Sequence, residues 1–149
     1  MKTFTRKAGA DWMGNLTAGH GLVTTGSTAL LEAKFSFDDR VGEGDGPRTN
    51  PEELIAAAIA SCFSMALSKT IQDDGIIPQQ LVVNAAVTAT LGEGGIKISG
   101  LTLDVSGMVG GYTESQFVQA VETTRKNCPV YQVFEPGFGG IDVTCTLRN

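Results

Sequence analysis

Of the three cysteines in this 149-residue chain, two sit in settings that could support thiol chemistry. Cys62 lies inside the apolar run Glu53-Leu-Ile-Ala-Ala-Ala-Ile-Ala-Ser-Cys-Phe-Ser-Met-Ala-Leu, and Cys128 lies in Lys126-Asn-Cys-Pro-Val. They are too far apart in sequence to form a CxxC redox pair or a metal knuckle. If the fold brings them together, Cys62 can act as a thiolate that attacks a peroxide oxygen. Cys128 can then resolve the oxidised form into a disulfide. The third, Cys145, falls in an alternating strand pattern and reads as a core residue, the usual fate of a free cysteine.

Composition limits the partners such a site could serve. Lys and Arg number 11 against 16 Asp and Glu, for a formal charge of −5, and no basic run could neutralise a phosphate backbone, so nucleic acid is not an expected partner. The start, Met1-Lys-Thr-Phe-Thr-Arg-Lys-Ala-Gly, has no apolar leader region, and no stretch of about 18 apolar residues is expected anywhere. These features predict a soluble cytoplasmic protein with no membrane partner. Three cysteines are too few and uneven for a secreted disulfide framework, so they begin as thiols in a reducing compartment. His20 is the only histidine, which leaves almost no material for Cys/His catalysis or a His-based metal site. Neither a metal nor a bound cofactor is expected.

With 42% hydrophobic residues, the length suits one domain spanning residues 1–149. The segment around Trp12, then Gly21-Leu-Val-Thr-Thr and Ala33-Lys-Phe-Ser-Phe, predict two or three strands joined at Gly-rich turns. Val41-Gly-Glu-Gly-Asp-Gly-Pro-Arg-Thr predicts a loop. A long helix follows, with Asn50 as its N-cap, Pro51 at the first position, and Glu53 completing a capping box. Ile55, Ala58, Cys62, Met65 and Ala66 form one stripe, but apolar residues fill most of the remaining surface, predicting a buried central helix that ends near Asp73 or Asp74, before Gly75 and Pro78. Leu81–Leu91 and Ile96–Val105 predict an antiparallel hairpin. Thr113-Glu-Ser-Gln116 opens a helix to Asn127, Pro129 starts a short helix through Phe134, and Ile141–Leu147 forms a last strand. The order βββ-α-ββ-αα-β predicts an α+β fold with antiparallel sheets packed on a central helix.

Thr49-Asn-Pro-Glu-Glu-Leu-Ile-Ala-Ala-Ala-x-Ala-Ser-Cys-Phe-Ser-Met-Ala-Leu, followed by Asn127-Cys-Pro-Val-x-Gln-Val, resembles the osmotically induced protein C (OsmC) family and its relatives, the organic hydroperoxide resistance (Ohr) proteins. Trp12 and Phe35-x-Phe-x-x-Arg40 extend the resemblance toward the start of the chain. It implies an OsmC-like fold, an intertwined homodimer, and thiol-dependent reduction of organic hydroperoxides. By motif position, Cys62 matches the peroxidatic cysteine, Cys128 the resolving cysteine, Arg40 the catalytic arginine and Glu52 its carboxylate partner. An external dithiol must reopen the disulfide, and the Ohr relatives imply lipoylated proteins in that role.

The chemistry is consistent with these assignments. Only the thiolate attacks a peroxide, and a free thiol has a pKa of about 8.5, so the anion needs stabilising. Cys62 in mid-helix cannot use a helix N-terminus for this, whereas a permanently charged, forked arginine can. Glu52 and Cys62 stand ten residues apart, about 15 Å along one straight helix, too far to share a site. If both act together, Glu52 must come from the second subunit of a dimer. Arg48 lies in the same loop as Arg40, and Glu52 and Glu53 both favour a helix start, so the pairing among these four stays open. Ile59, Phe63, Met65, Phe134 and Phe138 could line a pocket for hydrophobic peroxides, though core packing predicts the same residues. A non-enzymatic protein that binds hydrophobic molecules or senses oxidation is the alternative reading.

Overall fold

The structure, a computed structural model, describes residues 1–42 and 46–148. Residues 43–45, inside the predicted Gly-rich loop, lie outside the described set. The chain divides into two compact units, Met1–Leu54 and Ile55–Asn149.

In the first unit, strands β1 (Ala8–Met13), β2 (His20–Thr25) and β3 (Ala33–Phe35) form an antiparallel sheet in that order. Trp12 and Phe35 both pair in register with Gly21, from opposite sides, and their rings approach to 5.6 Å between centroids. A Cβ at position 21 would fall 2.3 Å from the Phe35 ring, so only glycine lets the two aromatics meet over β2. The third strand is shorter than its alternation predicts. It stops at Phe35, and Ser36 instead caps a one-turn helix, α1 (Phe37–Val41), by accepting a hydrogen bond from the Asp39 amide. Arg40 therefore stands on a helix, not at the edge of a loop.

Helix α2 (Pro51–Asp73) starts as its signals predict. The Asn50 side chain accepts from the Glu53 amide at 2.8 Å, while the Glu53 carboxylate turns to the Thr49 hydroxyl, so the reciprocal half of the capping box is absent. Along the part of α2 in the second unit, the buried stripe is Ile59, Phe63, Leu67 and Ile71, each fully shielded. This i, i+4 row replaces the predicted stripe, since Cys62 is half-buried and Met65 is 67% exposed. By length and composition α2 could also cross a bilayer, since an 18-residue window within it reaches a mean hydropathy of 1.7. Its alanines and serines interrupt the run of large apolar residues without adding charge, which is why the sequence pattern hid this property.

The second unit is built on β4 (Gln80–Gly92) and β5 (Gly95–Met108), an antiparallel hairpin in which alternate residues Leu101, Leu103 and Val105 of β5 enter the core. Helix α3 (Glu114–Asn127) begins with the predicted capping box between Thr113 and Gln116. Helix α4 (Pro129–Phe138) runs one turn beyond the expected Phe134. Pro136 is accommodated near its end, and Gly139 terminates it with a left-handed φ of 68°. Strand β6 (Asp142–Arg148) then pairs with β5 in parallel, giving the order β4-β5-β6. The α3–α4 connection is what makes this parallel return possible, because a tight turn can join only antiparallel strands.

Candidate active site

The two predicted reactive cysteines meet in the second unit. Their sulfurs lie 3.4 Å apart, outside the covalent S–S length of about 2.05 Å, and both are free thiols. Cys62 reaches this point from the middle of α2, and Cys128 from the junction of α3 and α4. The Cys128 amide donates to the Thr124 carbonyl at 2.8 Å, and its carbonyl accepts from the Gln132 amide at 3.1 Å. One residue thereby ends α3 and begins α4, with Pro129 supplying the fixed φ for the turn.

Cys128 is fully shielded from solvent, and burial pushes its thiol up to about 11. The adjacent Cys62 adds to the rise, while the amides of Tyr131 and Val130 oppose it. The helix N-terminus thus acts to lower the value but is outweighed by loss of solvation. Cys145 is half-buried on β6, beside Val105 of β5. Burial raises its thiol, with Glu122 and Glu114 acting in the same direction.

In the first unit, Arg40 and Glu52 form a forked ion pair. Arg40 Nε donates to both Glu52 carboxylate oxygens at 3.1 Å, and Nη2 donates to Oε1 at 2.7 Å. Arg40 comes from the last turn of α1 and Glu52 from the first turn of α2. The Glu52 side chain is only 12% exposed, and its hydrogen bonds with Arg40 hold the carboxyl below its ordinary value against the opposing effect of burial. The other candidates pair elsewhere: Arg48 with Asp39 at 2.9 Å, and Glu53 with Thr49. Sequence reasoning left these pairings open because neighbouring residues of one charge carry the same local preferences.

Beside Arg40 opens a cavity of about 320 Å³ lined by Trp12, Leu16, Phe35, Ser36, Phe37, Arg40 and Pro51. Its walls are largely apolar, and the guanidinium is the one charged group facing it among the described residues. The pocket residues expected from α2 and α4 are used differently. Ile59 and Phe63 are core, Phe134 and Phe138 pack on each other at 6.1 Å, and Met65 faces outward. Leu16 and Phe37 were missed as pocket residues; the aromatic spacing Phe35-x-Phe37-x-x-Arg40 was the available signal. Among the described residues, no group of three or more His, Cys, Asp or Glu side chains gathers as a metal site.

Comparison with known proteins gives this geometry its context. The family model for OsmC-like protein matches residues 42–139. Peroxiredoxin OsmC of Escherichia coli K12 is 35% identical over 133 residues, covering 89% of this chain and 92% of that protein. The organic hydroperoxide resistance protein of Xanthomonas axonopodis pv. citri is 30% identical over 122 residues, covering 81% of this chain and 82% of its own length. The crystal structure of the organic hydroperoxide resistance protein OhrB of Bacillus subtilis superposes with a TM-score of 0.69 at 26% identity, across 97% of this chain and 98% of that one. With the α+β element order, the cysteine-bearing helix and the second cysteine at a helix junction all accounted for, the chain belongs to the OsmC-like protein family.

Proposed function

We propose that this protein is a cysteine-based peroxidase that reduces organic hydroperoxides to alcohols. The observation that carries the reading is the 3.4 Å contact between the Cys62 and Cys128 sulfurs, since a thiol held there can capture a newly oxidised neighbour. In the first step the Cys62 thiolate attacks the terminal peroxide oxygen. The O–O bond breaks, the alkoxide leaves and takes up a proton, and Cys62 becomes a sulfenic acid. In the second step the Cys128 thiolate attacks the Cys62 sulfur, an S–S bond forms, and the departing hydroxide is protonated to water. An external dithiol then reduces the disulfide by exchange, releasing both thiols. The relatives' names, peroxiredoxin and organic hydroperoxide resistance protein, support the substrate class.

Arg40, oriented by Glu52, stabilises the attacking thiolate and donates to the leaving oxygen. Glu52 and Cys62 stand ten residues apart on α2, about 15 Å of helix. The reading therefore includes an intertwined homodimer in which the Arg40–Glu52 pair of one protomer serves Cys62 of the other. The apolar cavity beside Arg40 suits the hydrocarbon portion of an organic peroxide better than it suits hydrogen peroxide. A cytoplasmic setting, with a lipoylated protein as the dithiol source, completes the reading.

The cavity beside Arg40 also supports a second reading, a protein that binds hydrophobic molecules and reports oxidation without turnover. Steady-state consumption of cumene hydroperoxide and hydrogen peroxide with a dithiol separates the two. The peroxidase consumes many equivalents, prefers the organic peroxide, and loses all turnover in Cys62→Ser. Consumption that stops at one equivalent per protein would favour the sensor.

A further inference from the structure

Across the junction that carries Cys128, a line of side chains joins α3 to α4. Arg125 in the last turn of α3 receives support from Glu122 on its own helix at 2.9 Å. It donates from Nε to the Tyr131 hydroxyl on α4 at 2.8 Å, and that hydroxyl donates to Glu135, one turn further, at 3.3 Å. The guanidinium also lies 5.6 Å from the centre of the Tyr131 ring. The Gln132 side chain makes a parallel link to the Lys126 carbonyl. No part of the proposed peroxide chemistry uses these groups.

Tyr131 also faces inward. It is 1% exposed, and its ring packs 6.0 Å from that of Phe63, the residue immediately after Cys62. One side chain thus touches the neighbour of the first cysteine while its hydroxyl is tied to the helix that leads into the second. We infer that Arg125 and Tyr131 are positioning residues for disulfide formation. The strap they form across the α3–α4 junction holds the Cys128 sulfur against Cys62, so that closing the last part of the 3.4 Å gap requires no search by the chain.

The inference deepens the thiol reading of the site, yet it can be tested without peroxide. Equilibration of the reduced protein with glutathione redox buffers measures the coupling of the pair. The Cys62 thiolate attacks oxidised glutathione, whose S–S bond breaks to leave a mixed disulfide on Cys62 and release one glutathione thiolate, and the Cys128 thiolate then attacks that Cys62 sulfur. The protein S–S bond forms as the bond to glutathione breaks, and the glutathione thiolate departs. The effective concentration of Cys128 at Cys62 is expected to fall by about tenfold in Tyr131→Phe, which keeps the ring against Phe63, and in Arg125→Gln. Val121→Ala, a buried truncation on α3 away from the junction, is the control for lost stability alone and should stay within about twofold of wild type.

Coupling within twofold of wild type in folded Tyr131→Phe would overturn the proposal, as would an equal loss in Val121→Ala. If Arg125→Gln does not fold, Tyr131→Phe decides. A wild-type protein with normal pair coupling but no peroxide turnover would remove the proposed function and leave the strap standing. Normal turnover with unaltered coupling in both strap variants would remove the strap alone.

Discussion

A thiol at the start of a helix is ordinarily easier to ionise, yet Cys128 is fully shielded and pushed up to about 11. In the proposed cycle its attack on oxidised Cys62 is therefore expected to be limited by proton loss under neutral conditions. After one equivalent of peroxide, the rate of disulfide formation should rise by about tenfold per pH unit from pH 7 toward 10, a slope set by the rising thiolate fraction. Rapid acid quenching and thiol mapping would measure this, and a rate independent of pH would show another step to be limiting. At the other pair, Glu52→Gln keeps the shape of the side chain but removes the charge that fixes Arg40. It should slow the first reaction with an organic peroxide by about tenfold or more while leaving glutathione coupling of the cysteines unchanged. Stopped-flow peroxide consumption measures the first effect. The motifs singled out Cys62, Cys128, Arg40 and Glu52, and the fold brings the two cysteines together and pairs the arginine with Glu52. Their pairings depended on which way side chains turn from adjacent positions, and so did the cavity at Trp12, Leu16, Phe35 and Phe37. Local sequence preference does not encode that choice.

Among the elements, those with a chemical start or stop signal were the most readable. Pro51 after Asn50 and the Thr113–Gln116 box placed two helix starts within a residue. Thr113→Ala should destabilise the protein by about 1 kcal/mol through loss of that cap, measurable as a lower urea midpoint with unchanged slope. The short α1 escaped notice because its Phe37 continues the alternation of the preceding strand, and Ser36 reveals its capping role only once the chain bends. Within the expected antiparallel sheets β6 is the exception, running parallel to β5, because an alternating pattern fits either a parallel or an antiparallel neighbour. On α2 the sequence offered several apolar faces, and the fold buries the one through Phe63. Phe63→Ala should cost about 3–5 kcal/mol, because it empties a fully shielded site against Tyr131.

For the molecule as a whole, several buried acids share one pH response. Burial and its hydrogen bond to Asp74 push Tyr112 up to about 12, burial raises Cys128 to about 11, and Cys145 and Tyr131 move upward from the same cause. Each folded-state value lies above that of the unfolded chain, where cysteine ionises near about 8.5 and tyrosine near about 10. Their contribution is therefore fully present below about pH 8 and is lost as pH rises through the folded values. Under reducing conditions, urea midpoints should decline steadily from pH 8 to 11, and a flat profile would contradict these shifts.

The contact between Cys62 and Cys128 joins positions 66 residues apart in the chain. A bond there would close a loop of that size and, by the chain-entropy argument, stabilise the folded protein by about 4 kcal/mol. The oxidised form would then be harder to melt than the reduced one, by roughly 10 °C, and under the proposed peroxidase reading each turnover would pass through it. By the same linkage, the folded pair would resist reduction by roughly 90 mV relative to the same cysteines in an unfolded chain. Heat resistance would thus report the position of the protein in its cycle. A calorimetric scan of the oxidised and reduced forms reads that difference directly, and under the proposed function it would set how strongly reducing the regenerating dithiol must be.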